Sequence, residues 1–276
     1  MAVIERGSGT AASRPSRKRW PVGINGQAFL GRLAIIVGLL AIWEVLAQTK
    51  VVDKEFVSTP IDVARAIGRI LTDHTALSAF AYTGGEIAIA FVLGTTCGLL
   101  AGAALGLSAL LRDALLAPLN FLLSTPKSVF LPIFILYFGI GTDSAAAYGA
   151  FSAFVFVAVN VVGGVGLVQQ KLLTMGRAYG ANTRQRLTEI VFPSAMPGVF
   201  AALWQGIHHA LGGVLIVELF ASSNGIGQLI QQYTNNFQSD NALAVAVIIS
   251  VLAIAVASLW SALERRLSRW RTQSWS

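Results

Sequence analysis

Three ionisable side chains sit inside long apolar stretches of this sequence. Lys127 lies within 114–140, and His208 and His209 lie within 198–220. An ionisable group inside a membrane span costs about 2.5–3.5 kcal/mol at the centre, so each is a candidate for function. Counted along their stretches, the three fall at matching depth. A lysine amine beside two imidazoles makes a donor-rich, positively biased site for an anionic solute, although neutral imidazoles act through hydrogen bonding alone. Trp204 is grouped with them as a candidate pathway residue. A structural reading stands beside this one. Lys127 lies between Pro126 and Pro132 and could pair with the carbonyls those prolines free. The histidines could form a core pair bonded to neighbouring helices. Metal binding is not expected, because adjacent helical residues point about 100° apart and no third ligand is evident. Glu86 and Glu218 fall near the ends of their stretches, where a carboxylate can snorkel to the interface.

The elements that hold these residues follow from composition. The chain has 276 residues, of which 55% are hydrophobic and 12% charged, with a mean hydropathy of +0.67. A soluble domain carries roughly a quarter charged residues, so an ordinary cytosolic enzyme is excluded. High apolar content excludes disorder. An all-α polytopic membrane protein remains. The net charge of +7 then reflects basic loops beside anionic lipid, not nucleic-acid binding. The lone cysteine, Cys97, allows no intramolecular disulfide and reads as a small buried hydrophobe.

Six segments are long and apolar enough to span: 29–47, 82–106, 114–140, 144–167, 198–220 and 241–263. Six spans put fourteen Lys and Arg residues on one side, in the tails 1–28 and 264–276, at Arg112, and in the loop 168–197. Four lie opposite: Lys50, Lys54, Arg65 and Arg69. The asymmetry predicts that both termini are cytosolic. Between the first two spans, Thr59 can cap a helix with Pro60 in its first turn, and Val63, Ile67, Ile70 and Leu71 form an apolar stripe. That pattern predicts a short amphipathic helix on the outer interface. In the loop 168–197, Gly180 can end one helix in a left-handed turn and Asn182 or Thr183 can cap the next, which runs to Pro193. Pro197 opens the fifth span. Two short helices at an angle would form a cytosolic knob, which could equally pack against its own bundle.

Gly180-Ala181 followed by Ile190-Val-Phe-Pro193-Ser-Ala-Met-Pro197 resembles the cytosolic "EAA" loop of permease subunits of bacterial ABC importers. Three further stretches resemble the nitrate/sulfonate/taurine branch: Thr125-Pro-Lys-Ser-Val-Phe-Leu-Pro132, Tyr137-Phe-Gly-Ile-Gly141, and Glu218-Leu-Phe-Ala-Ser-Ser-Asn-Gly-Ile-Gly227. The departures are local. Thr174, Met175 and Gly176 occupy the Glu-Ala-Ala positions, Glu86 replaces a common Arg, and His208-His209 replaces a Gly-Arg pair.

The resemblance implies a type I importer permease with 29–263 as its transmembrane domain and 168–197 as its coupling loop. Thr174, Met175, Gly176, Arg177, Ala178, Tyr179, Gly180 and Ala181, with Pro193 and Pro197, would then engage the ATPase. Glu218 would join Lys127, His208, His209 and Trp204 on the substrate pathway, close to the outer gate to which Gly225 and Gly227 would belong. The implied partners are a second copy of the permease, two cytosolic ATPase subunits and a periplasmic substrate-binding protein, in the bacterial inner membrane. The cofactors, ATP and Mg, would reside on the ATPase subunits, and this chain would hold none. Its own residues agree: no Gly-x-x-x-x-Gly-Lys-Ser/Thr is present, and none of the five lysines follows a glycine. The expected cargo is a small anionic solute of the sulfonate, nitrate, taurine or aromatic-acid kind. Two other classes compete. A secondary transporter would need paired broken spans in matching halves, and an intramembrane hydrolase would need a nucleophile such as Ser152 bonded to His208.

Overall fold

In the computed structural model, residues 26–49 and 58–267 are described. Residues 1–25 and 268–276, which make up most of both basic tails, and Lys50 and Lys54 lie outside them. The described residues are helical almost throughout. Four long helices read as unbroken spans: α1 (Gly26–Gln48), α3 (His74–Leu107), α6 (Thr142–Gly166) and α11 (Ser239–Leu267). A fifth, α9 (Phe192–Ala221), continues a shorter helical stretch before it.

The expected third span is not one straight helix. It is α4 (Ala109–Ser124), a 3-10 turn over Lys127–Phe130, and α5 (Leu131–Phe138), and the two arms are bent by 97°. The cause lies in Thr125-Pro126. A residue before proline is pushed out of the helical region, and Thr125 is extended at ψ 133°. Thr125 closes α4 by donating its hydroxyl to the Phe121 carbonyl at 2.8 Å. Five spans are therefore unbroken, and the sixth exists only if the bent pair is one span.

The core is built on α3, α6 and α9. Gly94, Gly98, Gly102 and Gly106 recur every fourth residue along one face of α3. A Cβ on Gly98 would lie 2.7 Å from the Val157 Cβ, and one on Gly102 would lie 2.7 Å from the Ala158 carbonyl. Close approach of this kind is how helices associate in lipid, where no hydrophobic force separates protein from solvent. On the other face of α6, Gly164 and Gly149 meet Gly198 and Gly213 of α9 backbone to backbone. Tyr148, Val214 and Val217 fill the space between, each almost wholly buried.

The amphipathic helix is present as α2 (Pro60–Ile70). The Thr59 hydroxyl accepts from the Asp62 N–H at 3.1 Å. Its apolar face does not lie on lipid, however. Val63, Ala66 and Ile70 pack with Ala244 and Val245 of α11 and with Ile226 and Leu229 of α10 (Ile226–Asn235). Arg69 fixes the register, at 2.6 Å from Asp240 and 3.0 Å from Asn241. Leu71 falls outside the stripe and is exposed. Helix α1 stands apart, with Ala47 its one buried residue among those described.

Candidate functional site: a capped loop and a broken span

The loop 168–197 folds as two joined helical pieces. The first, α7 (Gln170–Ala178), ends at Tyr179, after which Gly180 takes φ +78°. Two bonds close the end: Ala181 donates to the Gly176 carbonyl at 2.8 Å, and Gly180 donates to the Arg177 carbonyl at 3.0 Å. This paired reverse bonding satisfies carbonyls that a helix end leaves open. The second piece starts at once. Asn182 accepts from the Gln185 N–H at 2.8 Å, and its own N–H is held by the Gln185 side chain at 2.9 Å, a complete capping box. A stop and a start back to back fix the angle between the pieces without a flexible linker.

Beyond this cap, α8 (Thr183–Gln185) widens into a π-helical turn over Arg186–Val191 and runs directly into α9. Pro193 explains the widening, because the bond its missing N–H would make falls on Glu189 inside that turn, whereas the one missing at Pro197 falls on Pro193, beyond it. With no N–H at Pro193 to bond four residues back, the turn before it is free to adopt longer spacing. Phe192 accordingly donates to the Leu187 carbonyl, five residues back. The fifth span does not begin at Pro197; the helix passes straight through that residue. Among the expected coupling residues, Gly176 and Gly180 differ in what surrounds them. A Cβ on Gly176 would meet the Ile190 Cδ1 at 2.8 Å, whereas one on Gly180 would meet nothing within 4 Å. Gly176 serves the seat of α7 on the π turn, and Gly180 serves the turn itself and an open surface. Thr174, Met175, Arg177, Ala178 and Tyr179 are all exposed, Tyr179 at 85%.

Lys127 occupies the break between α4 and α5. Its amine does not bond a carbonyl freed by the prolines. It stands 4.2 Å from the centroid of the Phe156 ring on α6. The His209 imidazole is stacked on the same ring at 3.3 Å, 7° from parallel. Two groups this close to one ring cannot share a face, so Phe156 is sandwiched between the lysine and the histidine. His208 turns the other way. Its Nδ1 is 2.9 Å from the Trp204 carbonyl, its ring meets Trp204 edge-on, and Trp204 stacks toward Trp260 of α11. The two histidines are thus divided, as helical geometry requires of neighbours. His208 borders an apolar cavity of about 350 Å³ between α3, α9 and α11. No three His, Cys, Asp or Glu side chains converge on a metal-sized space among the described residues.

Glu218 stands elsewhere, near the C-terminal end of α9 and against the first turn of α10. It is fully buried; its Oε1 accepts from the Thr83 hydroxyl at 2.6 Å and its Oε2 from the Gly227 N–H at 2.7 Å. Thr83 in turn accepts from the Ile226 N–H at 2.9 Å. One carboxylate therefore ties α3, α9 and the first turn of α10 together, where a helix N-terminus favours negative charge. Gly225 at φ +95° and Gly227 leave no room for a Cβ beside that carboxylate. Glu86 is also buried, beside the side chains of Glu218 and Thr142. The structure does not unite Lys127, His208, His209, Trp204 and Glu218 in one site. It brings together Lys127 and His209, then His208 and Trp204, and leaves Glu218 with Thr83. Phe156 and Thr83 were not anticipated: neither carries a sequence signal, since both are ordinary residues of apolar helices.

Among the described residues, an all-helical bundle with a broken span and a rigidly capped loop between its spans is the fold of a polytopic membrane domain. Residues 94–269 match the model of the family described as "Binding-protein-dependent transport system inner membrane component", and the chain belongs to that family. It is a multi-pass permease subunit, not an enzyme. A protein of Bacillus subtilis named for aliphatic sulfonates transport, SsuC, is 26% identical over 94% of this chain and 91% of its own. The taurine transport system permease protein TauC of Escherichia coli is 27% identical over 94% of each. The MetNI methionine ABC transporter contains a chain of the same fold, at a TM-score of 0.61 and 21% identity, covering 69% of this chain and 94% of that one. An amino acid ABC transporter gives 0.58 at 18% identity, over 75% and 96%.

Proposed function

We propose that this permease passes a small anionic organic solute of the sulfonate or taurine kind, delivered by a periplasmic binding protein, into the cytosol. The observation that carries the reading is the amine of Lys127 at the break in the third membrane segment, held over Phe156 and in no ion pair among the described residues. Backbone that leaves helical geometry inside a membrane is tolerated where it borders protein or a water-filled path. A cation fixed at such a break is placed to meet an anion. The names of the sulfonate and taurine relatives point to the same chemistry.

In this reading α7 is the coupling helix. Leu172, Met175 and Tyr179 form its exposed apolar face, and that face enters a groove of a cytosolic ATPase carrying ATP and Mg. The loop and both termini are then cytosolic, and two copies of the chain assemble about a twofold axis. The test is reconstitution in vesicles with the ATPase and binding proteins. Sulfonate uptake that requires ATP and falls about tenfold or more with Lys127→Met is the expected result. Uptake that follows an ion gradient without the ATPase overturns the proposal.

A further inference from the structure

Beneath the coupling helix lies a second cavity, of about 580 Å³, lined by Arg112, Arg177 and Arg186. They come from three places: the start of α4, the last turn of α7 and the π turn. None forms an ion pair among the described residues, and no carboxylate lines the cavity. Arg186 donates one terminal nitrogen to the Thr183 hydroxyl at 3.1 Å. Its Nε is buried with no acceptor at all. A buried cationic donor left open is costly, and the usual remedy is an anion with several acceptor oxygens.

The opposite wall of the cavity is apolar. Leu107 at the end of α3, Val165 of α6 and Val191 of the π turn supply it. Acidic headgroups above acyl chains match a basic rim above an apolar wall, and such pockets between spans on the basic side suit anionic lipid. The faces of α7 separate this occupant from the ATPase. Gln170, Leu173 and Arg177, at helical spacing, look into the cavity, while Leu172, Met175 and Tyr179 are exposed on the other side.

We infer that this cavity binds the headgroup phosphate of an anionic phospholipid, with Arg112, Arg177 and Arg186 as its ligands. Lipid there would wedge the coupling helix against the ends of α3 and α6, so that the lipid composition of the membrane governs how firmly α7 is seated. The inference rests on the proposed cytosolic position of the loop. That position can fail independently, because detergent has no sides and lipid retention reads the cavity alone.

Native mass spectrometry of the purified full chain, titrated with phosphatidylglycerol or phosphatidylcholine of matched acyl chains, tests it. Wild type should retain phosphatidylglycerol preferentially. Arg112→Gln with Arg186→Gln should lower that retention about a hundredfold, since each of the two lost charge-assisted contacts is worth about tenfold. Arg112→Lys, which keeps the charge, should lose much less and controls for folding. Equal retention of the two lipids overturns the inference, as does unchanged retention in the double variant. If millimolar orthophosphate occupies the site and phosphatidylglycerol does not, the ligand is a free phosphate and the lipid reading is wrong. Loss of the bound lipid when the ATPase subunit is added assigns the arginines to that partner and likewise overturns it.

Discussion

The amine of Lys127 and the centroid of the Phe156 ring are 4.2 Å apart, a cation held over an aromatic face at the one sharp break in the spans among the described residues. Such a contact contributes about 0.5–2 kcal/mol, more when desolvated. It holds the lysine in place but leaves its hydrogen-bond donors unused. Lys127→Met keeps the stem and removes the charge. Uptake in reconstituted vesicles should fall about tenfold or more, as expected for loss of a charge-assisted contact. Phe156→Leu should weaken uptake less, by freeing the amine without deleting it. The two changes together should cost less than their sum, because both act on one contact. Additive losses would mean that Phe156 does not position Lys127.

A second expectation concerns the two histidines. His209 is stacked on Phe156 and His208 is bonded to the Trp204 carbonyl. His209→Gln should therefore reduce uptake together with Lys127, whereas His208→Gln, which retains a donor, should leave uptake close to wild type. Transport rates at fixed binding-protein concentration decide it, and equal losses would contradict the divided geometry.

The Glu218 knot should be sensitive to small changes. A Cβ on Gly227 would sit 2.5 Å from that of Glu218 and 2.8 Å from the Leu219 nitrogen. Gly227→Ala should displace α10 and lower the melting temperature in detergent. Glu218→Gln retains one acceptor and loses the other, so about 1–3 kcal/mol of stability should go with it. Glu86→Arg should act in the opposite direction, by placing a cation beside Glu218 where a second acidic side chain now stands. A melting temperature unchanged in all three would show that the corner does not stabilise the fold.

Gly180→Val should leave the protein able to insert while straining the turn and weakening ATPase copurification. The site has open space, so the cost is confined to the φ of +78° and to the docking surface. Gly176→Val should instead unseat α7 from Ile190 and lower stability as well. Wild-type uptake with normal copurification for Gly180→Val would remove the loop from coupling.

Orientation is tested by labelling. On a Cys97→Ser background, Ser8→Cys and Ser274→Cys should resist an impermeant thiol reagent applied to intact cells and react once the membrane is opened. Reaction from outside at either position would reverse the assignment of the basic side.

Much of this architecture was legible in the sequence because the membrane simplifies the choices. Apolar length gives the spans, and Thr59-Pro60 and Asn182 announce their caps through residue type alone. The bend at Thr125-Pro126 was harder to see. A proline inside an apolar run can kink a helix or be absorbed by it, and α9 carries Pro197 without breaking. The destination of α2 was also hidden: an apolar stripe says that a face is covered but not by what. Pairings such as Lys127 with Phe156 depend on how α4, α5 and α6 cross, which no local pattern records. The glycine spacing on α3 could have been found, since four residues at intervals of four make a visible ladder.

That ladder has a mechanical meaning. Where the backbones of α3 and α6 touch at Gly94, Gly98 and Gly102, a short slide along the axis would drive a Val157 or Val161 side chain into a peptide plane. The next position that fits is four residues away, about 6 Å along a helix. The pair is geared, and small displacements are forbidden to it. Opening and closing during a transport cycle must carry α3 and α6 as one beam, with the travel taken up at the 97° elbow between α4 and α5 and at the loosely attached α1.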